Sequence, residues 1–156
     1  MANRETQGHD FIKRNFSAIW PVHVEAFTRL LMLLRSHFDG DLDLMLVLAV
    51  IGGRTLPDNW VSELDTLGHV TRADEEKHVP AAINLQSIAD YTGIPRETVR
   101  RKLAVLLDKG WITKDEKGFL SATGDAAADL ASATGASIQY LATLLNVFEA
   151  ARAQKV

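Results

Sequence analysis

The sequence contains no cysteine and no long apolar run, and both absences exclude classes of protein. Without cysteine there is no disulfide framework, no thiolate metal site and no cysteine nucleophile. The longest apolar run, Leu44–Ile51, is far shorter than the about 20 residues that a membrane-spanning helix needs. The polar N-terminus leads into no apolar segment of the kind that a secretory signal requires. We therefore expect a soluble protein of the cytoplasm.

Patterns typical of enzymes are also missing. The sequence has no nucleophile elbow, no phosphate-binding glycine loop and no carboxylate spacing that singles out a catalytic pair. The five histidines are scattered and form no metal-binding pattern. We expect no catalytic activity, no bound metal and no cofactor.

Charge is distributed unevenly along the chain, whose net charge is −3. Residues 81–124 carry 7 Lys and Arg against 5 Asp and Glu, a net charge of +2, whereas residues 1–80 are net −4 and residues 125–156 net −1. A nucleic-acid partner would face the positive segment. Because +2 is a weak field, one copy should bind DNA poorly, and we expect a dimer.

Residues 1–53 are predicted to form an arm and two helices that serve the core and dimerisation. We interpret residues 1–17 as a mobile or loosely docked arm. Apolar residues at helical spacing predict one helix that starts at Pro21 and ends at Asp39-Gly40. A second, fully buried helix is predicted from Asp41 to Ile51, with Gly52-Gly53 as its end.

Two further segments flank the central part of the chain. Residues 54–82 are interpreted as a connector or insertion, with a short helix at about Trp60–Leu67. Residues 123–156 predict a long amphipathic helix for dimerisation, bent or broken near Thr134-Gly135. Trp20, Trp60 and Trp111 are interpreted as core residues. An effector pocket lined by Trp20 and Trp60 is the open alternative, and the sequence identifies no small-molecule effector.

Residues 83–122 follow the pattern of a winged helix-turn-helix. A short helix at Leu85–Tyr91 is followed by a turn at Gly93 and a longer helix at Pro95–Asp108. Two apolar segments within 111–121 then bracket a polar turn that ends in glycine, which predicts a β-hairpin wing. The predicted fold is mainly α, with this winged helix-turn-helix flanked by N-terminal helices and a long C-terminal helix.

The segment Gly93-Ile-Pro-Arg-Glu-Thr-Val-Arg-Arg-Lys-Leu resembles the turn and recognition helix of bacterial winged helix-turn-helix regulators. The spacing Arg96-Glu97-Thr98-Val99…Arg101 closely resembles the DNA-reading helix of the catabolite activator/fumarate-nitrate regulator group, which implies that Arg96, Glu97 and Arg101 read base edges. The overall layout resembles the MarR family of dimeric repressors, which implies that the terminal helices of two subunits interlock.

The chemistry of these side chains agrees with that implication. Arg96 and Arg101 can each donate two hydrogen bonds to guanine, and Glu97 can accept one from cytosine. Other polar side chains suit phosphate contacts, which set the register without reading sequence. These are Ser87, Thr98 and Arg100. Lys114 and Lys117 on the wing would reach the backbone or an adjacent minor groove. Lys102 is a further candidate for DNA binding, although its long stem can also lie over the core.

The sequence therefore predicts a homodimeric regulator of transcription that binds specific sites on double-stranded DNA. The recognition helix 95–108 would enter the major groove, and the wing 111–121 would contact the backbone. One alternative is a winged helix that binds another protein, since fold alone does not determine function. Another is an architectural DNA-binding protein with little sequence preference.

Overall fold

The structure is a computed structural model and describes residues 4–55 and 82–154. Seven helices and two strands occur in these residues. The helices are α1 (Arg4–Arg14), α2 (Phe16–His37), α3 (Leu42–Arg54), α4 (Leu85–Thr92), α5 (Arg96–Asp108), α6 (Gly124–Asp129) and α7 (Ala131–Ala153). The strands are β1 (Ile112–Lys114) and β2 (Leu120–Ala122). The chain divides into two compact units, one of residues 1–36 and 132–156 and the other of residues 37–131. Within the described residues, no helix combines the length and apolar character needed to cross a membrane.

The unit 37–131 is built around a core to which α3, α4, α5 and the hairpin all contribute. Apolar side chains on one face of each helix point into this core, as helical periodicity requires. Its largest fully buried side chains are Val47, Ile51, Ile83, Ile88, Val99 and Leu106. These contacts hold α5 at a defined angle against α3 and α4.

The α4–turn–α5 segment forms from strong local signals. Asn84 caps α4 by accepting a 3.0 Å hydrogen bond from the backbone N–H of Ser87. Gly93 ends α4 with φ 72°, a left-handed conformation that glycine adopts without steric cost. Pro95 stands at the N-cap of α5, where its missing N–H is not needed.

The β-hairpin is antiparallel, with Ile112 opposite Ala122 and Lys114 opposite Leu120. Asp115 closes the turn, because its carboxylate accepts hydrogen bonds from the backbone N–H groups of Lys117 and Phe119. The hairpin is anchored to α3 by Thr55 at the end of that helix. The Thr55 hydroxyl accepts a 3.0 Å bond from the N–H of Ala122 and donates a 2.7 Å bond to the carbonyl of Ile51.

Trp111 anchors the start of the hairpin and is buried, as predicted. Its indole N–H donates a 2.7 Å hydrogen bond to the Asp129 carboxylate on α6. Its ring packs edge-on against Phe38, with 5.6 Å between the ring centroids. An apolar ring with a satisfied polar atom is the usual way to bury tryptophan.

The other unit consists of α1, of α2 without its last residue and of α7 without its first residue. Phe11 on α1 packs edge-on against Phe148 on α7, with a centroid distance of 6.4 Å. His23 on α2 and the Tyr140 hydroxyl on α7 share a 2.9 Å hydrogen bond. These contacts connect the three helices of this unit.

The predicted fold class is confirmed: the described chain is mainly helical, with a two-stranded hairpin after the helix-turn-helix. Residues 4–14, interpreted above as part of a mobile or loosely docked arm, form helix α1. The predicted start of the next helix at Pro21 was wrong. Helix α2 starts at Phe16, so Pro21 lies inside it, where it removes one backbone hydrogen bond without ending the helix.

The predictions for α3 also need correction. Gly52 and Gly53 do not end this helix, because neither adopts a positive φ. The helix is buried along one face only, since Leu42 and Leu46 are exposed. The helix ends at Arg54. Its C-cap is Thr55, whose N–H and hydroxyl both donate to the carbonyl of Ile51.

Two further predictions differ from the structure. The C-terminal segment breaks at Leu130, between α6 and α7, and Thr134-Gly135 lies within a continuous helix. Trp20 is not a core residue, because 48% of its surface is exposed, and its ring stacks on Phe16. The predicted helix at Trp60–Leu67 and most of the connector 54–82 lie outside the described residues.

Candidate nucleic-acid interface

Helix α5 presents a polar face away from the core. Val99, Leu103 and Leu106 point inward and are buried. The side chains of Arg100 and Arg101 are 61% and 73% exposed. Arg96, Arg100 and Arg101 lie within two turns of α5 and are exposed, so this face of the helix is a candidate for an interface with an anionic partner.

An open groove of about 490 Å³ runs between α5, the start of α4 and the hairpin. Four basic side chains line it: Arg96, Arg100, Lys114 and Lys117. The remaining lining comes from Asn84, Gln86, Gly118, Ala104 and the leucines Leu85, Leu103, Leu107 and Leu120. None of these described lining residues is acidic. A groove with this lining attracts an anionic backbone and not a cationic ligand.

The groove brings together side chains that are distant in sequence. Arg96 and Arg100 lie one turn apart on α5, whereas Lys114 and Lys117 reach the same place because the hairpin folds back beside that helix. Asn84 and Gln86 were missed in the sequence analysis. Asn84 carries a recognisable signal, since asparagine directly before an apolar helical segment is a preferred N-cap.

Glu97 is engaged with its neighbours on α5. Arg100 donates two hydrogen bonds to its carboxylate, of 2.8 Å from Nε and 2.6 Å from Nη2. Arg101 Nε lies 3.4 Å from the same carboxylate. The hydrogen bonds from Arg100 lower the pKa of Glu97 to about 2, and the carboxylate raises the pKa of Arg100. Glu97 is therefore ionised at neutral pH, with its two oxygens already accepting hydrogen bonds.

Lys102 does not lie with the other basic residues of α5. Its ammonium donates a 2.6 Å hydrogen bond to Asp41, and its side chain is only 22% exposed. The long apolar stem lies along the packed side of the helix, as considered in the sequence analysis. Because the Lys102 ammonium bonds to Asp41, Lys102 does not line the groove.

Ser87 and Thr98 occupy less prominent positions. Ser87 is exposed near the start of α4, and its hydroxyl donates a 3.1 Å hydrogen bond to the capping side chain of Asn84. Thr98 is half-buried on α5. A phosphate contact by Ser87 would require its hydroxyl to leave Asn84.

Residues 65–116 match the family model of the IclR helix-turn-helix domain. This part of the chain carries a DNA-binding domain of transcription regulators. The match covers about a third of the chain, starts within the segment 54–82 and includes α4, α5 and β1. It concerns a DNA-binding domain and not a catalytic one. Neither the curated proteins nor the solved structures include a significant match.

The matched domain and the groove identify the same part of the molecule. Helices α4 and α5 correspond to the two helices of the helix-turn-helix, and the groove lies where α5 meets the hairpin. In such domains the second helix enters the major groove of DNA. The described residues contain no group of three or more potential metal-ligand side chains.

Proposed function

We propose that the protein is a homodimeric transcription regulator that binds specific sites on double-stranded DNA, with residues 95–108 in the major groove and the wing 111–121 on the backbone. The observation that carries this proposal is the groove in which Arg96, Arg100, Lys114 and Lys117 converge. The IclR-type domain match supports the same ligand.

Arg96 and Arg101 are the proposed base-reading residues. Arg96 lies in the first turn of α5, the end of a recognition helix that approaches base edges. Arg101 is strongly exposed one and a half turns further along. The resemblance of 93–103 to the catabolite activator/fumarate-nitrate regulator group supports these assignments. Each bidentate contact to guanine discriminates by about 1–3 kcal/mol.

Arg100, Lys114 and Lys117 are the proposed phosphate-binding residues, with Ser87 and Thr98 as further candidates. The groove beside α5 is suited to a phosphate backbone, because four basic side chains line it and none of its described lining residues is acidic. Contacts of this kind position a protein on DNA but carry no sequence information. Lys102 is left out of the proposed interface because it pairs with Asp41.

Dimerisation is proposed through the terminal helices in residues 1–53 and 123–156. Ile138, Leu141 and Leu145 form an exposed apolar stripe on α7, at the three- and four-residue spacing of helix packing. No charged residue occurs in the first 18 positions of this helix. A helix of this composition favours burial against another helix. The resemblance to the MarR layout supports the same arrangement.

The competing proposal of a protein-binding winged helix predicts that the basic cluster is hidden or neutralised. Arg100 and Arg101 are exposed and therefore not hidden. Glu97 offsets only one of their two positive charges, and the surplus favours DNA. Transcription regulation also requires the compartment that holds the DNA, which is the basis for the proposed cytoplasmic location. Any small-molecule effector remains unassigned.

The proposal is tested by selecting bound sequences from a random duplex pool at near-physiological salt, with the full chain. We expect a palindrome whose half-sites are about 10 base pairs apart, and a dimer in sedimentation equilibrium. Arg96→Ala and Arg101→Ala should each lose preference at one position of the half-site. A failure to enrich any motif, with no duplex binding at low salt, would overturn the proposal.

A further inference from the structure

Glu97 occupies an unexpected place for an acidic residue. It lies in the first turn of the recognition helix, between Arg96 and Arg100, which both line the basic groove. A carboxylate there opposes the approach of phosphate. The Glu97 carboxylate interacts with neighbouring arginines of the same helix. Arg100 donates two hydrogen bonds to it, and Arg101 Nε lies 3.4 Å from it.

We infer that Glu97 is a specificity-determining residue that weakens binding to non-cognate DNA by engaging Arg100 and Arg101. This inference rests on the proposed function. With Glu97 ionised, the three side chains carry a combined charge of +1, whereas without it they would carry +2. Non-specific binding depends on the number of phosphates that basic residues neutralise, so the carboxylate removes about one ionic contact.

The ion pairs of Glu97 with Arg100 and Arg101 can break when DNA binds, because these side chains are exposed to solvent. The side chains of Glu97 and Arg100 are 56% and 61% exposed, and exposed ion pairs are weak. A well-placed partner on a cognate site can therefore compete for the arginines. On a random duplex the guanine that Arg101 is proposed to read is not in place, so both arginines must leave Glu97 for phosphate attraction alone.

The inference differs from the base-reading role that the resemblance implies for Glu97. A base-reading carboxylate accepts a hydrogen bond from cytosine, and its loss would relax preference at one base pair. A carboxylate that restrains arginines would instead, when lost, raise affinity for all sequences. The two roles predict opposite results on scrambled DNA.

The test uses Glu97→Gln in the full chain, because glutamine keeps the size of the side chain and removes the charge. Affinities are measured on the selected cognate duplex and on a scrambled duplex, over a range of salt concentrations. We expect scrambled-DNA affinity to rise about three- to tenfold, and the slope of log K against log salt to steepen by about 0.9. Cognate affinity should rise less, so that the ratio of the two affinities falls.

Asp108→Asn is the matched control, because it removes the same charge from the same helix. Asp108 lies eleven residues further along α5, or about 16 Å at 1.5 Å per residue. We expect a much smaller change from this variant. Thermal melting of both variants checks that the fold is kept.

Every other outcome of this experiment contradicts either the inference about Glu97 or the proposed function. If Glu97→Gln leaves scrambled-DNA affinity unchanged, or changes it no more than Asp108→Asn does, the inference is wrong. A loss confined to one base pair of the cognate site also overturns it, in favour of base reading. A wild-type protein that binds no duplex overturns the proposed function together with the inference, so the two failures are distinguishable.

Discussion

Lys102 on the recognition helix donates a 2.6 Å hydrogen bond to the carboxylate of Asp41, the N-cap residue of α3. The two oxygens of Asp41 have different partners. Oδ1 accepts a 2.9 Å bond from the backbone N–H of Leu44, and Oδ2 accepts the bond from Lys102. One carboxylate therefore both caps α3 and connects that helix to α5, which helps to fix the orientation of the recognition helix.

This ion pair predicts that Lys102 contributes little to DNA binding. Lys102→Met keeps the apolar stem and removes the charge. We expect DNA affinity to change by no more than about threefold, because Asp41 already neutralises the ammonium outside the groove and only screened long-range attraction is lost. Arg96→Ala should lower DNA affinity about fivefold or more, because about 1–3 kcal/mol of base contact is lost. Fluorescence anisotropy with a labelled duplex measures both. An equal loss for the two variants would show that Lys102 contacts DNA.

Asp41 predicts a specific pH dependence of stability. Burial alone would raise the pKa of Asp41, but hydrogen bonds from Lys102 and from the N–H of Leu44 outweigh it and lower the pKa. A carboxylate with a lowered folded-state pKa stabilises the fold above about pH 4 and loses that contribution as pH falls through the lowered value. We expect acid to destabilise the wild type more than Asp41→Asn, which keeps a capping side chain. Urea unfolding between about pH 3 and pH 6 measures this difference; a constant difference across the range would contradict the prediction.

Alanine substitutions at two glycines are expected to change the free energy of unfolding in opposite directions. Gly93 has φ 72° and nothing within 4 Å of an added Cβ, so Gly93→Ala suffers from backbone strain alone. We expect it to lower the free energy of unfolding by about 1–2 kcal/mol. Gly53 is exposed in α3 and equally open, so Gly53→Ala should stabilise the helix by up to about 1 kcal/mol. Urea denaturation measures the free energy of unfolding of both variants. If both substitutions change it in the same direction, this account of the turn is wrong.

The wing lysines predict a uniform change in DNA affinity. Because Lys114 and Lys117 line the groove and are proposed to bind phosphate, replacing either with alanine should weaken binding to cognate and scrambled duplexes alike. The slope of log K against log salt should become shallower by about 0.9 for each lost phosphate contact.

Lys109→Ala is the control for the wing variants. Its ammonium lies 4.9 Å from the centroid of the Trp111 ring, at the opposite end of α5 from Arg96. We expect the salt slope of this variant to remain close to that of the wild type. If Lys109→Ala has the same effect as the wing variants, then the groove is not the phosphate-binding surface.

Much of the DNA-binding unit was predictable because its signals are local. Gly93 marks the turn, apolar residues at helical spacing mark the buried face of α5, and Gly118 ends the polar turn of the hairpin. Each of these signals acts within a few residues, so the sequence contains all the information. The wrong helix ends and breaks at Pro21, Gly52-Gly53 and Thr134-Gly135 arose because tertiary packing, and not local sequence, decides whether these helices continue. Residues of weak helix propensity lie there in helices that packing stabilises.

The sequence by itself determined the winged helix-turn-helix, the position of its recognition helix and the location of its positive charge. Only the tertiary structure decided which basic residues lie together in one groove. Arg96 and Lys114 share a groove because the hairpin folds back beside α5, whereas Lys102 is taken from that surface by Asp41, a residue of another helix. Periodicity defines the face of a helix, but the partner of a charged side chain depends on which elements the core brings together.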